Sequence, residues 1–182
     1  MRGNDALEHN PKIERQALEA LHEPLFGWCL SRSDYERTAA EDLMQQAYVE
    51  LLSGRAQYDG RSSLKTFVFG VVQMLVRGRH RRRASRLRLA TSVGADARGV
   101  DYPDFGDDAQ AKRVWTCVQE LPARQRDVIE LVFCRELTIE EAASVMQISL
   151  GAGRAHYDRA KRALAVRLAD LNDADRQEAR CV

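Results

Sequence analysis

Apolar residues recur at intervals of three and four positions through most of this 182-residue chain. This spacing places them on one face of an α-helix, and no segment shows a notable alternation of apolar and polar residues. Four prolines and eleven glycines interrupt the pattern only rarely. The sequence therefore predicts an all-α protein.

The helical periodicity stops between residues 90 and 110. This stretch contains glycine, proline and five aspartates against one arginine. An irregular stretch of this length is uncommon inside a compact domain, so it predicts a flexible acidic linker. We expect two small helical domains, residues 1–89 and residues 111–182, joined by the linker at residues 90–110.

The formal net charge is only +1, from 28 basic and 27 acidic residues, which by itself argues against nucleic-acid binding. The basic residues are, however, concentrated in two segments. Residues 77–88 contain seven arginines and no acid, and residues 154–167 contain five basic residues and only Asp158 against them. Both segments are candidate nucleic-acid interfaces. The alternative for the first is favourable charge at a helix C-terminus, and for the second a solvated basic face.

No sequence motif indicates an enzyme or a metal site. The four cysteines form no C-x-x-C pair and do not cluster with the four histidines at zinc spacing. Phosphate-binding loops and hydrolase motifs do not occur either. We expect a protein without catalytic activity, metal or cofactor, in which Cys29 and Cys134 are inert core thiols because they lie among apolar residues.

No apolar run is long enough to cross a membrane, and residues 1–10 lack the apolar core of a signal peptide. The sequence therefore predicts a cytoplasmic protein that does not contact a membrane.

Three helices are predicted in the N-terminal half, at about residues 11–29, 39–52 and 62–83. The second has an apolar face that consists of Leu43, Met44, Ala47, Tyr48, Leu51 and Leu52. Its opposite face is polar and includes Asp42, Gln45 and Gln46, with Glu41 at the edge. Taken alone, this face is most simply a solvated helix surface.

The third helix can be capped by Ser62 or Ser63. Its apolar stripe consists of Leu64, Phe67, Val68, Val71, Val72, Leu75 and Val76. Beside this stripe the pattern aligns Phe69, Gln73, Arg77 and Arg81. Phe69 either packs in the core or stacks on an unpaired base, and the sequence leaves both interpretations open.

The C-terminal half predicts a helix-turn-helix. A helix at about residues 111–121 is followed by one that starts at Pro122 and ends near Cys134. Thr138 and Glu141 form a capping box for a short helix, which a tight turn joins to a long basic helix starting near Leu150. That helix exposes Arg154, Ala155, Asp158, Arg159 and Lys161, so we expect it to enter a DNA major groove.

Three blocks of this sequence resemble bacterial RNA polymerase sigma factors of the extracytoplasmic-function (ECF) group. AEDLMQQAYVELL is similar to the core-binding helix of that family, and GRSSLKTFVFGVV with RHRRR is similar to its promoter-melting and minus-ten helix. LPARQRDVIELVFCRELTIEEAASVMQISLGAGRAHYDRAKRAL is similar to its minus-thirty-five domain. The resemblance implies a promoter-specificity factor; the alternatives are a helix-turn-helix regulator that acts without polymerase and an RNA-binding or interaction protein.

The resemblance also implies roles for particular residues. Core polymerase would be bound through Glu41, Asp42, Gln45 and Gln46. The minus-ten element, as duplex and as single-stranded non-template DNA, would meet Lys65, Phe69, Gln73, Met74, Arg77 and Arg81. The minus-thirty-five element would meet Arg154, Ala155, His156, Asp158 and Arg159. The linker would occupy the RNA-exit path, and an anti-sigma protein is an implied partner.

The sequence departs from the family pattern at several positions. Met74 stands where the family usually has an asparagine, and Gln147 replaces a frequent turn glycine. Gly153 replaces an apolar packing residue, which predicts lost buried area and a helix-propensity cost of about 1 kcal/mol. Asp158 brings a carboxylate to the DNA-facing side, where it either accepts from a cytosine amino group or repels phosphate. These departures indicate an unusual promoter sequence.

Overall fold

The computed structural model describes residues 6–89 and 108–178, with side chains described for residues 7–82 and 108–169. The chain divides into two compact units, Met1–Tyr102 and Pro103–Val182. Both are built mainly from helices, which confirms the predicted all-α class. The predicted linker at residues 90–110 lies outside the described residues except for Asp108, whose side chain caps the next helix, and the two residues that follow it.

The N-terminal unit begins with a small hairpin and continues with helices. Its elements are β1 (Ala6–Leu7), β2 (Asn10–Glu14), α1 (Arg15–Glu19), α2 (His22–Ser31), α3 (Arg37–Leu52) and α4 (Leu64–Leu89). The two strands pair antiparallel, with Ala6 opposite Glu14 and Leu7 opposite Asn10, and the register shifts between the two pairs.

The prediction of one helix over residues 11–29 is wrong. Residues Asn10–Glu14 instead form β2, whose pairing with β1 keeps the chain extended. Ile13 is completely buried in this extended stretch, which stabilises the hairpin. Helix begins only at Arg15 and is broken again before His22.

Helix α3 largely follows its predicted pattern. Leu43, Met44, Ala47 and Leu51 are buried, and α3 packs against both α2 and α4. Leu52, predicted on the apolar face, is half exposed, and Tyr48 is only partly buried. The buried face is therefore narrower than the sequence pattern suggests.

Helix α4 is capped by Ser63, whose Oγ accepts from the Thr66 N–H at 3.2 Å, and not by Ser62. Its buried surface is wider than the predicted stripe because α4 contacts both α2 and α3. Phe69, which the sequence placed beside the stripe, is completely buried and stacks on Trp28 of α2, with ring centroids 6.0 Å apart.

The C-terminal unit contains the predicted helix-turn-helix. Its elements are α5 (Ala109–Gln119), α6 (Ala123–Ile129), a π-helical segment (Glu130–Cys134), α7 (Ile139–Val145) and α8 (Leu150–Glu178). Pro122 is the N-cap residue of α6 and not its first helical residue. The capping box of Thr138 and Glu141 is present.

The turn between α7 and α8 places Gln147 at a φ of 52°. Glycine adopts this left-handed conformation most readily, which explains why the family frequently has a turn glycine where this chain has Gln147.

Cys134 does not lie in the core, contrary to the prediction. It ends the π-helical segment and is exposed, whereas Cys29 is buried as expected. Partial desolvation and the neighbouring carboxylate of Glu130 raise the pKa of the Cys134 thiol. A raised pKa disfavours the thiolate, which is the reactive form of the side chain.

The prediction that glycine at position 153 reduces the area buried on the packing face is also wrong. Gly153 is buried at the crossing of α7 and α8. A Cβ placed there would lie 2.9 Å from the Cβ of Ala143 and 3.7 Å from the carbonyl oxygen of Ile139. The glycine therefore permits a close approach of the two helices that a larger residue would prevent.

We expect Gly153→Ala to lower the free energy of unfolding by about 1–2 kcal/mol, because overpacking a rigid helix crossing outweighs the gain in helix propensity. The matched control is Gly151→Ala in the same helix, where an added Cβ meets nothing within 4 Å. The control is expected to leave stability unchanged or to raise it. Urea denaturation of the full chain, followed by circular dichroism, measures both; equal stability of the two variants would contradict the close-approach explanation.

Candidate nucleic-acid and protein interfaces

The exposed face of α3 is the first candidate interface. Asp42 and Gln45 are exposed as predicted, and Glu41 and Gln46 are partly buried. Val49, half exposed, continues the same face by one turn. The face therefore combines polar groups with an accessible apolar side chain, a composition suited to a protein partner.

Contacts within the unit hold two of these four polar residues in place. Arg37 Nε lies 3.0 Å from Glu41 Oε1, one helical turn away. Arg79 of α4 donates to Gln46 Oε1 at 3.2 Å, which links the face of α3 to the arginine-rich part of α4. The N-terminal end of α3 is itself capped by Glu36, which accepts from the N–H groups of Thr38 and Ala39.

The six residues predicted to meet the minus-ten element do not share one surface. Met74 is 44% exposed and Arg81 is exposed, while Lys65 and Arg77 are partly buried. Phe69 and Gln73 are buried. The stacking of Phe69 on a base is therefore not available in this structure, which supports the core-packing interpretation that the sequence left open.

Gln73 was predicted at the DNA-facing surface because it lies one turn from Phe69 and Arg77. It is only 5% exposed, since α4 is covered on the side of Phe69 as well as on its valine stripe. Its Oε1 has no hydrogen-bond partner in the structure.

The remaining surface of α4 has a distinctive shape. Gly70 and Gly78 lie one turn before and one turn after Met74, and a Cβ added to either glycine would meet nothing within 4 Å. Met74 is therefore flanked along the helix by two residues without side chains and projects beyond them. Beyond it, the chain exposes Arg79, His80, Arg81 and Arg82. The predicted minus-ten residues include Arg77 and Arg81 from the basic run at residues 77–88, and exposure adds Arg79, His80 and Arg82 as candidates.

Helix α8 carries the second DNA candidate surface. Arg154, Asp158 and Arg159 are exposed, and Ala155 and His156 are partly buried. Arg159 Nε donates to the carbonyl of Ala155 at 2.9 Å, so its guanidinium lies along the helix. The predicted residues thus lie on one accessible stretch of the helix.

The pKa of His156 is lowered below its ordinary value. Desolvation is the main cause, the positive charges of Arg159 and Arg124 add to it, and Asp127 opposes it. His156 is therefore mostly neutral near pH 7, and positive charge on this stretch comes from the arginines.

Opposite this stretch, α8 packs through Ala160 on a core of Val118, Leu121 and Ile129. Tyr157 joins this core at its edge, stacks on the exposed ring of Phe133 with centroids 6.1 Å apart, and lies under Lys161 Nζ at 5.3 Å. These contacts set the rotation of α8 and so decide which of its residues are accessible.

The part of the chain that the structure describes contains neither a candidate metal site nor a candidate membrane span. Over these residues, no group of three or more His, Cys, Asp or Glu side chains could hold a metal ion. No described helix is both long enough and apolar enough to cross a membrane.

A helical unit with an arginine-rich helix, followed by a unit with a helix-turn-helix, defines a DNA-binding transcription protein. Two family models match the chain: Sigma-70 region 2 over residues 18–86 and Sigma-70 region 4 over residues 111–164. The chain belongs to the sigma-70 family, within its extracytoplasmic-function group. Sigma factors are regulatory transcription factors and not enzymes.

Two curated relatives support this assignment. The ECF RNA polymerase sigma factor SigF of Caulobacter vibrioides is 28% identical over 162 residues, which cover 89% of each chain. The ECF RNA polymerase sigma factor SigX of Bacillus subtilis is 24% identical over 121 residues, covering 63% of this chain and 62% of that protein.

Two solved structures share the fold. The sigma factor RpoE of Bartonella quintana, in complex with the anti-sigma factor NepR, gives a TM-score of 0.69 at 22% identity and covers 85% of this chain and 96% of that one. CnrH, in complex with the cytosolic domain of CnrY, gives a TM-score of 0.57 at 22% identity, covering 90% and 92%.

The burial of Phe69 leads to a prediction about stability. We expect Phe69→Ala to lower the free energy of unfolding by about 3–5 kcal/mol, because it removes a buried ring and leaves a cavity against Trp28. Met74→Ala, on the same helix but exposed, is expected to change it by less than about 0.5 kcal/mol. Urea denaturation of both variants tests this; a Phe69→Ala variant as stable as Met74→Ala would show that Phe69 is not a core residue.

Proposed function

We propose that this chain binds core RNA polymerase and directs transcription initiation from a specific set of promoters, acting in the cytoplasm. The observation that carries the proposal is that both family regions have accessible helix faces, those of α3 and α4 in region 2 and that of α8 in region 4. Core RNA polymerase and promoter DNA are the partners of ECF sigma factors in general.

In this proposal, polymerase binds the exposed face of α3. Asp42 and Gln45 supply polar contacts, and Val49 supplies an apolar contact that a purely solvated helix would not need. Glu41 and Gln46 take part mainly by holding Arg37 and Arg79 beside this face.

The minus-ten element is bound by α4. Arg77 and Arg81, with the neighbouring exposed arginines, neutralise phosphates, and Met74 offers a polarizable apolar surface between two glycines where an unstacked base can approach the helix backbone. Lys65 contributes charge near the start of the helix. No covalent step is involved, because the free energy of binding single-stranded DNA favours the open duplex.

The minus-thirty-five element is read by α8 in the major groove. Arg154 is suited to a bidentate contact with guanine, Asp158 to accepting from cytosine, and Ala155 to a thymine methyl group. His156 and Arg159 complete the surface near the phosphates. This combination of a base-reading carboxylate with arginines favours a mixed promoter sequence over a run of one base.

We also propose an anti-sigma protein as a regulatory partner. The support is that the two solved structures named above are complexes with another protein, described for NepR as an anti-sigma factor. The acidic segment at residues 90–110 is proposed to run along the RNA-exit path of the polymerase, where negative charge replaces that of nucleic acid.

Run-off transcription with purified core polymerase and fragmented genomic DNA tests the function. We expect the chain to bind core and to produce discrete transcripts whose start sites share two upstream elements. A helix-turn-helix regulator that acts alone would instead bind duplex fragments in the absence of core and yield no transcripts, and that result would exclude the sigma function.

The polymerase face predicts a specific loss of core affinity. We expect the double variant Asp42→Ala, Gln45→Ala to bind core about tenfold more weakly or worse, because truncating central interface contacts commonly costs more than 1 kcal/mol. The melting temperature should not change, since both side chains are exposed. Gln57→Ala, exposed in the segment between α3 and α4, is the control; equal affinities for all three proteins would remove α3 from the interface.

The recognition helix predicts a change in promoter preference. We expect Arg154→Ala to cost about 1–3 kcal/mol in binding a cognate minus-thirty-five duplex and to relax the preference at one base pair. Val166→Ala, exposed further along α8, is the control and should behave as the wild type. Competition binding against duplexes with single base changes measures this, and an unchanged preference would exclude Arg154 from base recognition.

A further inference from the structure

The β-hairpin at residues 6–14 lies before the part of the chain that the region 2 family model matches, which starts at residue 18. It is nevertheless part of the N-terminal core. Ile13 is completely buried and Leu7 nearly so. The hairpin is therefore an integral addition to the region 2 helices, and its contacts show what it adds.

Asn10 connects the hairpin to the segment between α3 and α4. Its side chain, only 2% exposed, donates through Nδ2 to the carbonyl of Leu51 at 2.6 Å and to the carbonyl of Ala56 at 3.0 Å. Its Oδ1 accepts from the N–H of Tyr58 at 2.9 Å. One amide thus binds the last turn of α3 and two points of the connection that follows.

Tyr58 extends this connection to the start of α4. Its hydroxyl donates to the carbonyl of Ser62 at 2.6 Å, two residues before the helix begins. Its ring lies against Phe67 in the first turn of α4, with centroids 5.1 Å apart. A continuous set of contacts therefore runs from the end of α3, through Asn10 and Tyr58, to the beginning of α4.

Two further contacts hold the hairpin on the same connection. Lys12 Nζ donates to the carbonyl of Asp59 at 2.6 Å. Gly54, with a φ of 69°, lies so close to the hairpin that an added Cβ would be 2.9 Å from the Cβ of His9. The connection is thus held along most of its length by residues that precede the family region.

We propose that the hairpin is a positioning element, which acts through Asn10 and Tyr58 to hold the polymerase-facing helix α3 and the promoter-facing helix α4 in a fixed arrangement. This inference rests on the proposed function, because that function assigns the two helices different partners. DNA held on α4 must be aligned with the polymerase held on α3 for opening to occur. A small change at the junction of the helices would misalign them while leaving each surface intact.

The test uses Asn10→Ala, which removes three hydrogen bonds, and Tyr58→Phe, which removes only the bond to Ser62 and keeps the ring. Cys29→Ala, buried in α2 and outside this set of contacts, is the control for general destabilisation. Each full-length variant is assayed with core polymerase at the same interval below its own melting temperature. Core affinity is measured by fluorescence anisotropy, and promoter opening by 2-aminopurine in the non-template strand.

We expect core affinity within about twofold of wild type for every variant, with opening slowed about tenfold by Asn10→Ala and severalfold by Tyr58→Phe. Cys29→Ala should open promoters at the wild-type rate. If Asn10→Ala does not fold, Tyr58→Phe decides the question. The inference would be overturned if the folded variants opened promoters at the wild-type rate. It would also be overturned if core affinity and promoter opening fell together. Failure of the wild-type chain to bind core would instead refute the proposed function itself.

Discussion

The contact between Trp28 and Phe69 is the interaction on which the N-terminal unit depends. Both rings are completely buried, lie nearly parallel with 7° between their planes, and join α2 to α4. Aromatic side chains of this size each bury about 150–250 Å² and so dominate the core of a small helical unit. This contact also limits the surface of α4 that remains for DNA, because it uses the side of the helix that carries Phe69 and Gln73.

In the C-terminal unit the corresponding constraint is the distance between two backbones. Gly153 has no side chain, and this allows α8 to approach Ala143 in α7 closely. The core around Ala160 and the ring of Tyr157 then set the rotation of α8. The residues proposed to read DNA are accessible because those on the other side of the same helix are held against the core.

Local signals predicted much of this protein. Ser63 and Thr138 cap helices as predicted, and each accepts from an N–H only three residues further along the chain. The error at residues 11–29 had a non-local cause, since pairing with β1 and the burial of Ile13 keep residues 10–14 extended. Cys134 was misplaced because residues 130–134 form a π-helical segment, whose turn differs from that of the α-helix assumed by the apolar pattern.

The sequence by itself determined the helical class, the helix-turn-helix, the family and the two arginine-rich segments, because periodicity, caps and charge are properties of neighbouring residues. Only the tertiary structure decided that Phe69 and Gln73 are buried while Met74 protrudes, and that Gly153 permits a helix crossing. It also decided that Asn10 joins a hairpin to the end of α3 forty-one positions away. Burial and long-range hydrogen bonds depend on which elements pack together, and that packing is set by the whole chain.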